Sequence, residues 1–305
     1  MIQKKYYSSK LLLFGEHTVT LGGQALAIPY PNYHSFWSNC TSKADETALK
    51  KALAEFVDLL EVYRKDGKIN FEVQIGALRN KIKNNYFFDT NIPIGYGLGS
   101  SGTVCAAIYD SYVSESHKKD KSIGATQKDL AQLENIFHGN SSGIDPLVCY
   151  LNKGIYLGKN GIKLLQTVPS LSSENFHSFL IDTKIKRNTA SLVNYFRRRS
   201  SEEDFYKNCT RVLLELSREI IQLYIDEKHL ELLVLLHEVS ELQLNYMKKM
   251  IPMTFHQIWE EGLTSNLYSL KLCGAGGGGF ILGFTANWEK TKAQLKGYSI
   301  EKIVL

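Results

Sequence analysis

Cysteine is scarce in this sequence and shows no pattern. Its five residues, Cys40, Cys105, Cys149, Cys209 and Cys273, are odd in number and never spaced as a metal knuckle. That argues against a disulfide framework and against a thiolate zinc site. Free, buried thiols in a reducing compartment are the expectation. Long apolar runs near the start are missing too. The run at residues 11–14 follows Lys4 and Lys5 but is too short for a signal peptide or a membrane span. A cytoplasmic protein with no membrane partner is therefore expected. Charge of one sign is not abundant either, since 36 basic and 31 acidic residues leave a net charge of +5. The one dense basic run, 197–199, follows Leu192, Val193, Tyr195 and Phe196 and reads as the exposed end of an amphipathic helix. Nucleic-acid binding asks for a longer basic stripe with interleaved aromatics, so it is not expected. Anionic small molecules suit a weak positive bias equally well. Internal repeats and low-complexity linkers are absent.

What is present is the balance of a soluble globular protein. Of 305 residues, 44% are hydrophobic and 22% charged, enough for one large or two ordinary domains with a core of normal size. Residues 10–14 and 25–28 predict buried strands around a Gly-Glu-His turn. Leu49, Leu53, Phe56, Val57, Leu60 and Tyr63 recur at a helical period, predicting a helix over 46–65. Alternation of Phe71, Val73 and Ile75 predicts a strand. A Gly-rich turn at 95–102 feeds a helix at 103–113, and helix followed by loop recurs over 127–145. Strands are expected at 147–151, 154–157 and 179–182, and a helix at 189–199. Amphipathic helices follow at 205–225 and 228–250, their apolar stripes assigned to the core. A strand, Gly-rich turn and strand over 269–284, a helix and a last strand at 299–305 complete an α+β pattern. The polar stretch near 170–178 is the natural boundary, giving domains 1–174 and 175–305.

The sharpest local feature is Pro93-Ile-Gly95-Tyr-Gly97-Leu98-Gly99-Ser100-Ser101-Gly102. Alternating glycines permit positive φ angles and close backbone approach to a ligand. Two hydroxyl residues then open a helix whose first N–H groups are unpaired and whose end carries about half a positive charge. Such a nest suits a polyphosphate. Alone, the string is also compatible with a flexible turn and a helix cap. Gly97, Gly99 and Gly102 satisfy a dinucleotide fingerprint, but Pro93 and Gly95 interrupt the strand that should precede it. No Walker lysine follows, which excludes an ordinary P-loop.

Two acids stand out next. Glu134 lies among Leu130, Leu133 and Phe137, and Asp145 ends the string His138-Gly-Asn-Ser-Ser142-Gly-Ile-Asp145. Taken singly, Glu134 reads as a solvated helix charge and Asp145 as a turn or cap residue. Phosphoryl transfer nevertheless needs one carboxylate for a metal and a second near the attacking hydroxyl. Lys10, Glu16 and His17 bracket the first strand, where strand-end polar residues are also ordinary. Five glycines within 274–279 carry a large entropic cost as mere structure, and a backbone that approaches a transferring phosphate explains them better.

Together these strings resemble the galactokinase–homoserine kinase–mevalonate kinase–phosphomevalonate kinase (GHMP) superfamily. The 93–102 string is similar to its ATP motif Pro-x-Gly-x-Gly-Leu-Gly-Ser-Ser, with Gly102 in place of the usual alanine. The segment from Glu134 to Asp145 resembles Glu-x-x-x-His-Gly-x-Pro-Ser-Gly-x-Asp of the mevalonate kinase branch, at the same spacing. Ser141 replaces the proline, which predicts a less rigid loop. The opening from Lys10 to Gly23 resembles Lys-x-x-Leu-x-Gly-Glu-His-x-V-x-x-Gly. Lys186-Arg-Asn-Thr189 resembles an Arg-Asn-Thr segment, and Lys271-Leu-Cys-Gly274-Ala-Gly276-Gly-Gly-Gly279 a Lys-Leu-Thr-Gly-Ala-Gly-rich motif with Cys273 for threonine. The matches keep the family's order over residues 10–282.

The resemblance implies an N-terminal α+β domain and a C-terminal ferredoxin-like domain, with ATP and substrate meeting between them. It implies ATP on Pro93, Gly95, Gly97, Leu98, Gly99, Ser100, Ser101 and Gly102, and Mg²⁺ on Ser101 and Glu134. Asp145 would act as base and Lys10 beside it would stabilise a developing alkoxide. Substrate contacts would come from Lys10, Glu16, His17, Asp145, Thr189 and Gly276. The implied reaction is transfer of the γ-phosphate of ATP to the primary hydroxyl of mevalonate. Rivals are another kinase of the superfamily, acting on phosphomevalonate, a sugar or an amino-acid alcohol, and a non-catalytic sensor of ATP and metabolite. Retention of Lys10, Glu134 and Asp145 argues against the sensor. A surplus of cations for a second anion is lacking unless Arg79, Lys81 and Lys83 supply it. A homodimer is left open.

Overall fold

A computed structural model describes residues 4–39, 46–186 and 189–304, and the side chains of residues 46, 189 and 190 fall outside that description. The chain divides into two compact units that interleave along the sequence. One comprises Met1–Leu11, Ala27–Pro93 and Leu98–Ile155, the other Leu12–Leu26, Ile94–Gly97 and Tyr156–Leu305. Residues 156–174 thus pack with the second unit, upstream of the boundary expected at 174/175. Both units mix helices with antiparallel pairing, as the α+β pattern predicts.

In the first unit, β1 (Tyr6–Phe14) pairs with β2 (Ala25–Ser38). β3 (Phe87–Thr90) joins β2 antiparallel, with Ser35 opposite Thr90. Around them lie α1 (Glu46–Lys65), α2 (Ile75–Lys83), α3 (Ser100–Tyr112), α4 (Glu115–Lys118), α5 (Ile123–His138) and α6 (Ile144–Leu151). α1 buries Leu53, Phe56, Val57 and Leu60, the three-and-four spacing of a single core face. Residues 105–109 of α3 are buried without exception, and α5 and α6 pack against that helix. α5 starts at Ser122, whose hydroxyl accepts the Ala125 N–H at 3.2 Å, and stops at Gly139 with φ of +71°.

Two expectations fail in this unit. Phe71 and Val73 are buried, yet Val73 makes only an isolated bridge to Val113, and Ile75 opens α2. Three alternating apolar residues here reflect burial of a bend, not a ladder. Residues 147–151 are helix, not strand. Gly143 takes a left-handed φ of +72° ahead of α6, and Pro146 sits in its first turn, where a missing N–H costs nothing. A short apolar run such as Leu147-Val148-Cys149 does not by itself distinguish a buried strand from a buried helix.

β4 (Ile155–Gly158) and β5 (Gly161–Leu164) follow, and the first sheet has the order β1-β2-β4-β5 with β3 on β2. After β6 (Ser172–Ser173) and β7 (Phe176–Asp182) come α7 (Thr189–Arg199) and α8 (Glu203–Phe205). A π turn, Tyr206–Thr210, interrupts the helix expected over 205–225 before α9 (Arg211–Ile225). α10 (His229–Tyr246), α11 (His256–Ser265), β8 (Tyr268–Leu272), β9 (Phe280–Thr285), α12 (Trp288–Gln294) and β10 (Ser299–Lys302) follow. The second sheet has the order β10-β7-β9-β8, antiparallel throughout, with β6 on β7. Phe179, Ile181 and Leu270 share one face of this sheet and Leu180 and Leu282 the other, all of them buried, as are Leu232 and Leu236 of α10 and Trp259 of α11. The four described cysteines are free and buried, as expected; Cys40 lies outside the described residues. Among the described residues no helix is long and apolar enough to cross a membrane.

Candidate active site

The first unit brings Lys10, Leu98, Gly99, Ser101, Gly102, Glu134 and Asp145, all expected site residues, into two contact groups. Lys10 is anchored on β1, its N–H donating to the Leu98 carbonyl at 3.0 Å. Its stem runs past Gly99, which caps α3 with φ of +76°; a Cβ there would stand 2.9 Å from Lys10 Cγ. The glycine before the serine pair therefore makes room for the lysine as well as for a left-handed turn. Lys10 Nζ reaches Asp145 Oδ2 at 2.7 Å, with the two side chains 6% and 37% exposed. The ammonium is sequestered while the carboxylate keeps an open side. Asp145 sits in the first turn of α6, where a carboxylate is favoured by the helix dipole. A Cβ on Gly102 would lie 3.1 Å from both the Asp145 carbonyl carbon and Pro146 N. Glycine in place of the family's alanine thus matches a close approach of α6 to α3.

Glu134 resolves against the solvated-surface reading, since it is only 4% exposed. Ser101 donates its hydroxyl to Glu134 Oε1 at 3.0 Å, and Ser141 donates to Oε2. His138 Nε2 lies 3.1 Å from Ser101 Oγ. Burial, reinforced by the negative charge of Asp145, pushes the Glu134 carboxyl up to about 7, against the opposing pull of the two serines and Lys10. A buried carboxylate held this way favours a cation. Among the described residues no cluster of three His, Cys, Asp or Glu side chains could hold a metal alone. One hydroxyl plus one carboxylate instead fits Mg²⁺, which keeps waters and takes its other ligands from phosphates. Neither His138 nor Ser141 carries a site role in the sequence reading. Their signal was available: Glu134 and His138 are i,i+4 on α5 and share a face.

The second unit contains Glu16, His17, Gly95, Gly97 and Gly276. Glu16 is engaged at both oxygens, by Lys271 Nζ at 2.9 Å and by Gln243 Nε2 at 2.8 Å. Lys271 also donates to the Leu13 and Leu272 carbonyls, each at 2.9 Å, and Gln243 Oε1 accepts the Leu272 N–H at 2.8 Å. This is a buried network joining the first turn to β8, in which Glu16 Oε1 is hydrogen-bonded while Oε2 is held by the ion pair alone. His17 holds a positive φ of +64° with its ring centroid 4.8 Å from that of Phe196. Gly276 adopts φ of +79°, and a Cβ there would meet the Met250 carbonyl oxygen at 2.6 Å. Arg187, Asn188 and the Thr189 side chain lie outside the described residues.

Residues 45–153, which hold the Ser101–Glu134–Asp145 constellation, match the family model described as the GHMP kinases N terminal domain. This part of the chain is similar to the GHMP kinases. Among curated GHMP relatives the chain is 28% identical over 211 residues to a mevalonate kinase of Arabidopsis thaliana, covering 64% of this chain and 54% of that one. It is 31% identical over 137 residues to a mevalonate kinase of Dictyostelium discoideum, covering 38% of this chain and 34% of the relative. The chain thus spans from about a third to about half the length of the curated relatives it matches. The solved structure of L. major mevalonate kinase in complex with R-mevalonate aligns with a TM-score of 0.59 at 16% identity, over 97% of this chain and 91% of that one. A Lactococcus lactis galactokinase aligns with a TM-score of 0.62 at 13% identity, over 99% and 93%. At such identities the likeness is one of fold, and fold alone does not separate these substrates.

Proposed function

We propose that this chain is a GHMP kinase that transfers the γ-phosphate of ATP to the primary hydroxyl of mevalonate, giving 5-phosphomevalonate and ADP. The observation that carries the kinase reading is the Lys10–Asp145 pair at 2.7 Å in the same unit as the buried Ser101–Glu134 pair that begins α3. One carboxylate with an open face and one buried carboxylate beside a helix N-terminus are what phosphoryl transfer asks of a protein. In this reading residues 93–102 cradle the phosphates, with the first N–H groups of α3 directed at them. Ser101 and Glu134 hold Mg²⁺, which when bound neutralises charge on the β- and γ-phosphates. Asp145 takes the proton of the attacking hydroxyl, and Lys10 offsets the charge on its oxygen.

Mevalonate is favoured over rival acceptors by the curated relatives and by the cations of this chain. Arg79 is engaged by Asp58 at 2.7 Å and Glu61 at 2.8 Å, and Lys81 lies over the Trp37 ring. Of the three candidate cations Arg79, Lys81 and Lys83, only the exposed Lys83 is left for the second phosphate of a rival acceptor, where a bidentate site would ask for more. His17, Thr189 and Gly276 are proposed to complete the substrate site, with Glu16 supporting them through Lys271. At the family level the division is proposed as an N-terminal domain, 1–174, and a ferredoxin-like C-terminal domain, 175–305. Asp145→Asn tests the mechanism: kcat is expected to fall by about 10² to 10⁴ while ATP affinity persists. Near-normal turnover by a folded Asp145→Asn protein removes Asp145 from the chemistry.

A further inference from the structure

The loop between α5 and α6 carries an unusual device for orienting Glu134. Ser141, where the resembling string has proline, makes three hydrogen bonds. Its hydroxyl donates to Glu134 Oε2. The same oxygen accepts the Gly143 N–H at 2.9 Å, and its own N–H donates to Asn135 Oδ1 at 2.7 Å. Proline would lack that N–H and that hydroxyl, leaving Asn135 Oδ1, Gly143 N–H and Glu134 Oε2 each short of a partner. The loop is therefore not slackened by loss of proline. Gln127 Nε2 donates to the Ser142 carbonyl at 2.5 Å, and a Cβ on Gly143 would meet the Gln127 carbonyl oxygen at 2.3 Å, so the loop is seated on α5.

Glu134 consequently receives one hydroxyl proton on each oxygen, from Ser101 on α3 and from Ser141 on the loop. Ser101 alone leaves the carboxylate free to rotate about its last torsion, which is broad for glutamate. A second donor on the other oxygen fixes the plane of the carboxylate. The remaining lone pairs of both oxygens then point in set directions. We propose that Ser141 is a positioning residue that locks the carboxylate of Glu134 in the orientation required to receive the divalent cation. This rests on the assignment of Glu134 as a metal ligand and extends it to the residue behind it. Outer-shell partners of ligating groups typically contribute about 10- to 100-fold in metal affinity.

The test is Mn²⁺ binding to the full chain with saturating ADP, followed by electron paramagnetic resonance, for wild type, Ser141→Ala, Ser141→Thr and Glu134→Gln. ADP affinity in EDTA and melting temperature are measured alongside. Ser141→Ala should weaken Mn²⁺ about tenfold, Ser141→Thr should restore most of it, and Glu134→Gln should weaken it at least as much as Ser141→Ala. ADP affinity in EDTA should be unchanged throughout. Wild-type Mn²⁺ affinity in Ser141→Ala with a weakened Glu134→Gln overturns the role of Ser141 and leaves the metal assignment standing. Wild-type affinity in Glu134→Gln overturns both. Parallel loss of metal-free ADP affinity and of melting temperature in Ser141→Ala overturns positioning in favour of loop collapse.

Discussion

Glu134→Gln should make the metal-free protein more stable at alkaline pH, an unusual outcome for a site residue. Glu134 is buried and its carboxyl is pushed from the ordinary 4.5 to about 7. Between those values the folded protein holds a proton that the unfolded chain has released. The resulting stabilisation is complete below about pH 4.5 and is lost as pH rises through 7. The interval corresponds to a ceiling of about 3 kcal/mol, on the order of 5 °C in Tm for a chain of this size. Glutamine keeps the shape, accepts from Ser101 and never charges, so it avoids the loss. Wild type and Glu134→Gln should therefore match near pH 4 and diverge progressively to about pH 7, where the gap levels off with glutamine the more stable. Titrations of groups remote from Glu134 are common to both proteins and cancel in the difference. Urea unfolding in EDTA across that range measures it. Equal pH slopes for the two proteins would refute the picture of a buried carboxylate awaiting a cation.

Other outcomes follow from packing. Gly102→Ala should lose about 1–3 kcal/mol by crowding the Asp145–Pro146 backbone. Gly76→Ala on α2, where nothing lies within 4 Å of the added Cβ, should be neutral or gain about 0.5–1 kcal/mol. Chemical denaturation of the pair separates close approach from a general glycine effect. Glu16→Ala should lose about 3 kcal/mol, because the Lys271 ammonium stays buried without its carboxylate. Adding Lys271→Met should recover part of that loss, and failure to recover any would mean the pair is not coupled.

Periodic burial made α1 and α7 legible in the sequence, and the Gly-Ser-Ser string placed the start of α3 within a few residues. Lys10 and Asp145 were read as partners from separate strings, and the structure sets them in contact. Other features depend on contacts that spacing does not encode. Glu16 looked like a turn residue near substrate, but its partners Gln243 and Lys271 lie more than 200 positions away. Glu134 reads as a surface charge on α5 until Ser101 and the loop of Ser141 cover it. Residues 147–151 failed for a different reason: five apolar residues are too short a run to tell a buried strand from a buried helix. The Phe71–Ile75 alternation failed because two buried residues and a half-buried one also describe a bend. β3 and α11 carried no signal strong enough to be read.

The central claim is that this constellation phosphorylates mevalonate, and coupled ADP release over a panel of alcohols tests it most directly. Mevalonate, phosphomevalonate, galactose and homoserine would be compared at saturating MgATP, with His17→Ala and Asp145→Asn as companions. The account predicts a kcat/KM for mevalonate well above the others. It also predicts a His17→Ala effect larger on the KM of mevalonate than on that of ATP. Robust turnover of phosphomevalonate with none of mevalonate would contradict the substrate assignment, and no ADP release with any alcohol would contradict the kinase reading itself.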